Sequence, residues 1–245
     1  MRTQRIELIF ILDRSGSMSG LESDTIGGYN AMLKEQKEKP GEACVTTVLF
    51  DHTYELLHDR IDIRNVEEIT ENEYFVRGTT ALLDAVGMTV NRMVNVQKQA
   101  EDSQKAGKVL FVIVTDGLEN ASREYTFKQV KSMITYEQER YGWEFLFLGA
   151  NIDAAAAAQS FGINADRAAR YHADRAGTRL NYATVSATVS EMRECGSISA
   201  SWKEKIDRDY KKRKKIETAN PPIRIAQKMI QIVSAHELEK RLWLR

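Results

Sequence analysis

The residues that decide the fold are Ile6-Glu-Leu-Ile-Phe-Ile-Leu-Asp-Arg-Ser-Gly-Ser17, near the start of a chain of 245 residues. Ile6–Leu12 is an almost continuous apolar run, which is typical of a β-strand that is buried on both faces. Asp13, Ser15 and Ser17 follow it and place three oxygen-bearing side chains on one tight loop. A buried strand that ends in a polar loop is typical of α/β proteins, whose binding groups gather at the carboxyl ends of the strands.

Further apolar runs, rich in Val, Ile and Phe, indicate the rest of the sheet. The predicted strands are Val45–Phe50, Tyr54–Ile63, Val109–Val114, Glu144–Leu148 and a short sixth strand at Arg170–His172. Tyr54–Ile63 follows Val45–Phe50 after a tight turn, so we expect these two strands to pair with each other.

Helical patterns separate most of these strands. Apolar residues recur at helical spacing in Ser23–Lys37, Ala81–Gln99, Phe127–Tyr141, Ala154–Phe161 and Thr178–Glu194. Strands that alternate with helices predict an α/β fold with a mostly parallel sheet covered by helices on both faces. We expect this domain to span residues 1–195 and a basic, mainly helical extension to span residues 196–245.

The composition excludes several classes of protein. Hydrophobic residues make up 42% of the chain, which excludes a fully disordered protein. The two cysteines, Cys44 and Cys195, exclude a disulfide scaffold and predict reduced thiols in a cytoplasmic protein. No apolar run approaches the roughly 18 residues needed to span a membrane, so we expect no membrane span.

The formal net charge of zero conceals an asymmetry. Residues 197–245 contain 13 Lys or Arg residues and only 6 Asp or Glu residues, so the preceding part of the chain is net acidic. Two parts of opposite sign indicate a body and a tail with different roles.

Two further segments bring oxygen-bearing side chains to the predicted site. Thr115-Asp116-Gly117 follows the predicted strand Val109–Val114, which puts a second carboxylate at a strand end. Arg77-Gly-Thr79-Thr80 precedes the predicted helix Ala81–Gln99 and offers a hydroxyl at a helix start. Hydroxyl, carboxylate and water oxygens suit Mg²⁺ or Mn²⁺ rather than zinc.

This pattern resembles the metal-ion-dependent adhesion site of von Willebrand factor A domains. The resemblance is carried, in the order of that family, by Asp13, Ser15, Ser17, Gly78-Thr79 and Thr115-Asp116-Gly117, and it covers roughly residues 1–195. It implies a doubly wound, mostly parallel sheet with one antiparallel edge strand and helices on both faces.

The resemblance also implies a role for each residue. Ser15 and Ser17 would bind the metal directly through their hydroxyls, and Thr79 would bind it directly in a high-affinity state. Asp13 and Asp116 would act mainly through bound waters.

The family's threonine stands beside the glycine, and the resemblance therefore favours Thr79 over Thr80 as the third hydroxyl. In the family, the Glu or Asp side chain of a partner protein completes the coordination of the metal. The resemblance thus implies an adaptor or scaffold rather than an enzyme. Bacterial members of the family commonly act in stress-response and phage-defence settings, so the resemblance implies such a setting.

Each polar feature also has a plain structural interpretation. Asp13–Ser17 could be a turn that caps a helix without any metal. Glu119 and Asn120, which follow the second carboxylate, are expected to cap a helix or line the rim rather than bind the metal. Arg14 either faces an acidic group of a partner or is simply solvated.

A metal-dependent phosphoesterase is a weaker alternative. His52 follows Asp51 in the turn after Val45–Phe50 and could act as a general base beside a metal-bound water. A solvated turn histidine is the simpler interpretation, and the sequence contains no glycine-rich phosphate loop and no Ser-His-Asp arrangement.

The basic segment Lys203–Lys215 supports another alternative, nucleic-acid binding. Its densest part, Lys211–Lys215, lies beside Tyr210 and Trp202 in the sequence, and basic residues with aromatics can bind nucleic-acid phosphates. The same residues could instead form a solvated helix face. After Asn220-Pro-Pro222 we expect a further helix with an apolar stripe.

Overall fold

The structure is a computed structural model that describes residues 5–101, 104–150 and 152–219. Its strands are β1 (Ile6–Asp13), β2 (Ala43–Phe50), β3 (Tyr54–Asp62), β4 (Lys108–Thr115), β5 (Glu144–Ala150) and β6 (Ala168–Tyr171). They form a sheet with the order β3-β2-β1-β4-β5-β6. Edge strand β3 is antiparallel to β2, and the other neighbours are parallel. The predicted sheet, including its antiparallel edge strand, is confirmed.

Helices connect these strands. They are α1 (Glu22–Lys37), α2 (Leu82–Gln99), α3 (Phe127–Tyr141), α4 (Ala154–Ser160), α5 (Arg175–Cys195) and α6 (Glu204–Ala219). Single 3₁₀ turns lie at Gly16–Met18, Ile63–Asn65 and Ala165–Arg167.

Helix α3 has the predicted bounds because strong local signals lie at both ends. Thr126 and Gln129 form a capping box at its start, and Gly142 ends it with a φ of 63°. Helix α5 begins earlier than predicted, since the side chain of Asp174 accepts a hydrogen bond from the backbone N–H of Gly177.

Both faces of the sheet are buried, which explains the continuous apolar runs in the strands. Leu8, Phe10 and Leu12 of β1 belong to the core on the face that α1 and α5 cover. Ile9 and Ile11 belong to the core on the face that α2, α3 and α4 cover. Alternate residues of one strand thus anchor two helical layers.

The strand order places a crevice at the centre of the sheet. The neighbours β1 and β4 are followed by elements that continue in opposite directions, towards β2 and towards β5. In open α/β sheets, ligands bind at such a switch point, beyond the carboxyl ends of the strands. The loops after Asp13 and Thr115 meet there.

The chain contacts define two units, one up to Asp207 and one from Arg208 onwards. Ile198, Trp202 and Ile206 lie in the core of the first unit, which therefore extends beyond the expected boundary at residue 195. The further helix expected after Pro222 lies outside the described residues. Within the described residues, no helix has both the length and the apolar character to cross a membrane.

Candidate metal centre

Asp13 is fixed where β1 ends and the site begins. Its Oδ1 accepts a hydrogen bond from the backbone N–H of Ser15 at 2.7 Å, and this bond folds the loop back on itself. Its Oδ2 accepts from the hydroxyl of Thr115 at 2.5 Å. The hydroxyl of Tyr74 donates to the backbone carbonyl of Asp13 at 2.5 Å. The Asp13 carboxylate is therefore held in one orientation.

Hydroxyl oxygens gather beside this carboxylate. Ser15 Oγ lies 3.1 Å from Ser17 Oγ and 2.9 Å from Thr80 Oγ1. Ser17 Oγ in turn donates to Asp116 Oδ1 at 2.5 Å. The loops after β1 and β4 and the start of α2 thus bring five side chains together. We call this set the oxygen cluster: Asp13, Ser15, Ser17, Thr80 and Asp116.

The third hydroxyl of the cluster belongs to Thr80, whereas the resemblance favours the neighbouring Thr79 as the third hydroxyl ligand. Gly78 has a φ of 66°, and a Cβ there would lie 2.1 Å from His52 Nδ1. The turn at this glycine leaves Thr79 exposed and buries Thr80. The backbone N–H of Thr80 also donates to Asn120 Oδ1 at 2.9 Å, which fixes the residue.

Glu119 and Asn120 cap the start of α2, as expected. Glu119 Oε2 accepts from the backbone N–H of Leu83 at 2.8 Å. The backbone N–H of Asn120 donates to the carbonyl of Thr80 at 3.0 Å, so Asn120 binds both backbone groups of that residue. The loop that carries Asp116 is therefore joined to the helix start that carries Thr80.

Among the described residues, the two carboxylates of the oxygen cluster have no cationic partner. Asp13 is 1% exposed and Asp116 is 5% exposed, and no ion pair of the described residues includes either one. Burial raises the pKa of Asp13 to about 6, although hydrogen bonds from Thr115 and Ser15 oppose this. Burial also raises the pKa of Asp116. The uncompensated negative charge favours a bound cation.

The donor set fits a hard divalent cation. Octahedral Mg²⁺ has ligands at about 2.1 Å, which places adjacent ligand oxygens about 3.0 Å apart. The spacings around Ser15 Oγ, 2.9 and 3.1 Å, match this value. The described residues contain no group of three or more His, Cys, Asp or Glu side chains able to hold a metal ion, so hydroxyls must complete the set. Such a set suits Mg²⁺ or Mn²⁺.

Arg14, inside the same loop, is buried and paired, so it neither faces a partner nor is solvated. Its side chain is 0% exposed. Its Nε donates to Asp51 Oδ2 at 3.0 Å, its Nη2 to Glu55 Oε2 at 2.5 Å, and its Nη1 to the carbonyl of Glu73 at 3.0 Å. Both carboxylates come from the β2–β3 hairpin, far away in the sequence.

Asp51 is shared between two arginines. Arg77 Nε also donates to Asp51 Oδ2, at 2.8 Å. The guanidinium carbons of Arg14 and Arg77 lie 5.3 and 5.2 Å from the ring centroid of Phe75. Burial alone would raise the pKa of Asp51, but hydrogen bonds from Arg77, Thr53 and Arg14 outweigh it and lower the pKa. We call these residues the arginine cluster: Arg14, Asp51, Glu55, Phe75 and Arg77.

His52, the candidate general base, lies against Asp51 and over Gly78. Its Nδ1 is 3.0 Å from Asp51 Oδ1, and its side chain is half exposed. Within the described residues it has no hydrogen bond to the oxygen cluster. Among the residues that the structure describes, His52 therefore pairs with the arginine cluster and makes no hydrogen bond to the candidate metal centre.

The basic segment divides between the two units. Trp202 is buried and donates from Nε1 to the carbonyl of Asp166 at 2.8 Å, so it is not free to stack on a base. Lys203 Nζ donates to two backbone carbonyls of the first unit. In the second unit, Arg213 pairs with Asp209, and the lysines that the structure describes there, Lys211, Lys212, Lys214 and Lys215, are exposed.

The sequence matches no protein-family model and no curated protein. Solved structures do resemble the chain. The vWF domain of the type V pili tip protein Mfa5 from Porphyromonas gingivalis has a TM-score of 0.54 at 11% identity, covering 80% of this chain and 98% of that one. The manganese-loaded TRAP protein of Plasmodium vivax has a TM-score of 0.52 at 17% identity, covering 74% and 73%.

A third structure is proximal thread matrix protein 1 from the mussel byssus, which has a zinc-occupied MIDAS motif. It has a TM-score of 0.52 at 12% identity and covers 76% of this chain. The present chain spans 46% of that protein's length, and 64% of the PilB minor pilin from Streptococcus sanguinis, another similar structure. At these identities the likeness is one of fold.

Proposed function

Because this chain has the von Willebrand factor A fold, we propose that its oxygen cluster binds Mg²⁺ or Mn²⁺ and that the cation then binds an acidic side chain of a partner protein. One observation carries the proposal: Asp13 and Asp116 are buried and hydrogen-bonded by neutral groups, with no cationic side chain among the described residues beside them. Buried charge in this state is costly unless a counter-ion binds.

Each residue of the cluster has a distinct part in this proposal. The hydroxyls of Ser15, Ser17 and Thr80 hold the cation directly, and the carboxylates of Asp13 and Asp116 balance its charge through bound waters. A bound divalent cation supplies a coordination position that accepts an anionic oxygen. Hydroxyls carry no charge, so this position attracts a carboxylate more strongly than it would beside directly bound carboxylates.

The protein would then be an adaptor or scaffold rather than an enzyme. His52 supports this assignment, because it contacts Asp51 and has no hydrogen bond to the oxygen cluster within the described residues. We further propose a cytoplasmic location, in a bacterial stress-response or defence system. Cys44 and Cys195 support the cytoplasmic location because both are free thiols.

Calorimetric titration of chelator-treated protein with Mg²⁺ and Mn²⁺ tests the metal site. We expect one site in the wild type and none in Asp13→Ala, because the variant removes half of the negative charge that holds the cation. Asp59→Ala is the matched control, since it removes an exposed aspartate that pairs with Arg92 on the protein surface.

The same titration can also contradict the proposed metal site. Equal binding in the wild type and Asp13→Ala would place the cation elsewhere and overturn the proposal. Loss of binding in Asp59→Ala would show that the response reports general acidity rather than this cluster.

Nucleic-acid binding is a second candidate, because four lysines of α6 are exposed in the second unit: Lys211, Lys212, Lys214 and Lys215. Binding of a fluorescent RNA or DNA oligonucleotide should weaken steeply with salt, since lysines that contact phosphates release counter-ions. Replacing the four lysines with glutamine should abolish it. Binding that is insensitive to salt or to these substitutions would reject this candidate.

A further inference from the structure

We propose that Arg77, resting on Phe75, is a second recognition point beside the metal centre, and that the partner segment carries two acidic residues, one for the cation and one for Arg77. This inference rests on the proposed function and specifies its partner. The partner is then an extended acidic segment of a protein that also contains an apolar residue.

Arg77 belongs to the wall of the metal centre. Its backbone N–H donates to the carbonyl of Arg14 at 2.9 Å, and the following residue, Gly78, accepts at 3.1 Å from the backbone N–H of Gly16. The segment that carries Arg77 therefore lies beside the loop that carries Ser15. Because Arg77 also lies only three residues before Thr80, the inference is that one extended partner segment reaches both Arg77 and the oxygen cluster.

The two arginines on Phe75 differ in what they offer to solvent. The side chain of Arg14 is 0% exposed, whereas that of Arg77 is 42% exposed. Arg77 uses its Nε for Asp51 at 2.8 Å, and its Nη2 makes a long contact of 3.3 Å with Thr53 Oγ1. Its outer edge can therefore accept a carboxylate, whose two oxygens match the guanidinium fork.

Phe75 keeps this guanidinium in place. Its ring is 42% exposed, and the Arg77 guanidinium carbon lies 5.2 Å from the ring centroid. An arginine that is already oriented by a ring and by Asp51 loses little conformational freedom when a partner binds. Arg77 is thus preorganised for recognition, while Arg14 is committed to the interior.

An exposed apolar residue also lies on the loop that carries Asp116. Leu118 is 66% exposed and follows Gly117, whose added Cβ would lie 3.1 Å from Ser17 Oγ and 2.9 Å from Thr80 Oγ1. Exposed apolar groups around a polar centre are typical of protein-binding sites. We therefore expect the partner segment that supplies the two carboxylates to contain an apolar side chain as well, which would pack against Leu118 or Phe75.

Selection of random twelve-residue peptides from a phage library on the full chain, with Mg²⁺ present and elution by EDTA, tests the inference. We expect the eluted peptides to share two acidic residues separated by a short spacing, together with an apolar residue. A synthetic peptide of this type should bind the wild type about tenfold more tightly than the same peptide with the second acid changed to glutamine.

Variants of the protein, tested with both peptides, show whether the second acidic residue binds Arg77. Arg77→Gln and Arg77→Lys should both bind the two-acid peptide about as weakly as the wild type binds the one-acid peptide, because neither offers a guanidinium fork. Arg140→Gln, an exposed arginine at the end of α3, should bind both peptides like the wild type. Circular dichroism checks that each variant is folded, and the peptide substitution tests the inference without any change to the protein.

The outcomes separate this inference from the proposed function. EDTA-eluted peptides with a single acidic residue, bound equally by the wild type and Arg77→Gln, would overturn the role of Arg77 and leave the metal-bridged binding intact. Absence of EDTA-eluted peptides would overturn the proposed function and this inference with it.

Discussion

Two buried aspartates at the same edge of the sheet have opposite surroundings. Asp13 ends β1 and Asp51 follows the neighbouring β2, and they are 1% and 0% exposed. Asp51 accepts hydrogen bonds from Arg14 and Arg77, which together with those from Thr53 lower its pKa. Asp13 is bonded by neutral groups, and burial raises its pKa to about 6.

This difference indicates that Asp51 is a structural carboxylate, whereas Asp13 is available to a ligand. A buried carboxylate with its own arginines joins parts of the chain and needs nothing from solution. A buried carboxylate with neutral partners lowers the stability of the folded chain until a cation binds. The oxygen cluster and the arginine cluster thus use the same residue type, at the ends of two neighbouring strands, for different purposes.

Removal of an arginine partner from Asp51 should have the largest effect on stability. Arg14→Ala should destabilise the fold by about 3–5 kcal/mol, because a buried carboxylate loses a partner and a large buried side chain is deleted. Urea unfolding measures the change. Arg92→Ala, which breaks the exposed pair with Asp59, should cost less than about 1 kcal/mol. Equal costs for the two variants would show that burial of the Arg14 pair has no special weight.

The pH dependence of stability, measured in the presence of EDTA, should also differ between Asp13 and Asp51. The folded-state pKa of Asp13 lies above its unfolded value, so the stability lost through its ionisation grows as the pH rises from the unfolded pKa and is complete above about pH 6. Asp13→Asn removes that cost. We expect the stability advantage of this variant to shrink by on the order of 1 kcal/mol between about pH 7.5 and about pH 5, measured by urea unfolding.

Asp51→Asn is the matched control. Its folded-state pKa is lowered, so the stability from its ionised form is complete above the unfolded pKa and is lost only as the pH falls through the folded pKa. The effect of Asp51→Asn should therefore stay constant between about pH 7.5 and about pH 5. A pH-independent Asp13→Asn difference would contradict the uncompensated state of Asp13.

A smaller change distinguishes two adjacent threonines. Thr80→Ala should weaken Mg²⁺ binding about tenfold, because it removes a hydroxyl of the oxygen cluster. Thr79→Ala should leave binding unchanged, since Thr79 is exposed. Calorimetry with both variants decides between them, and a larger effect of Thr79→Ala would restore the choice that the sequence favours.

The smallest expected effect concerns the positioning residue Asn120. Asn120→Ala removes the bond from its Oδ1 to the backbone N–H of Thr80 and should lower stability by about 1 kcal/mol, with a weaker loss of Mg²⁺ affinity than in Thr80→Ala. Asn120→Asp keeps an acceptor and should retain the position of Thr80. Identical stability of the wild type and Asn120→Ala in urea unfolding would remove Asn120 from the support of the cluster.

The sheet follows from the sequence because strands that are buried on both faces must be almost continuously apolar. Ile6–Leu12 and Val109–Val114 show this pattern, and both lie at the centre of the sheet. Polar residues immediately after such strands are brought together by topology alone. The meeting of Asp13 and Asp116 was predictable on this ground, whatever they bind.

The remaining features depend on contacts that no local pattern encodes. The choice of Thr80 over Thr79 depends on the positive φ of Gly78, which decides which hydroxyl turns inward. The pairing of Arg14 with Asp51 joins residues 37 positions apart. Tyr74 holds the carbonyl of Asp13 from a segment without regular structure, and nothing in the sequence around it indicates this role.

Anomalous diffraction from crystals grown with Mn²⁺ would show whether the oxygen cluster, with its uncompensated carboxylates, holds a divalent cation. We expect an anomalous peak at bonding distance from the hydroxyls of Ser15 and Ser17, with none beside Asp51. An oxygen cluster without a peak at saturating Mn²⁺, or a peak at Asp51 instead, would contradict this expectation.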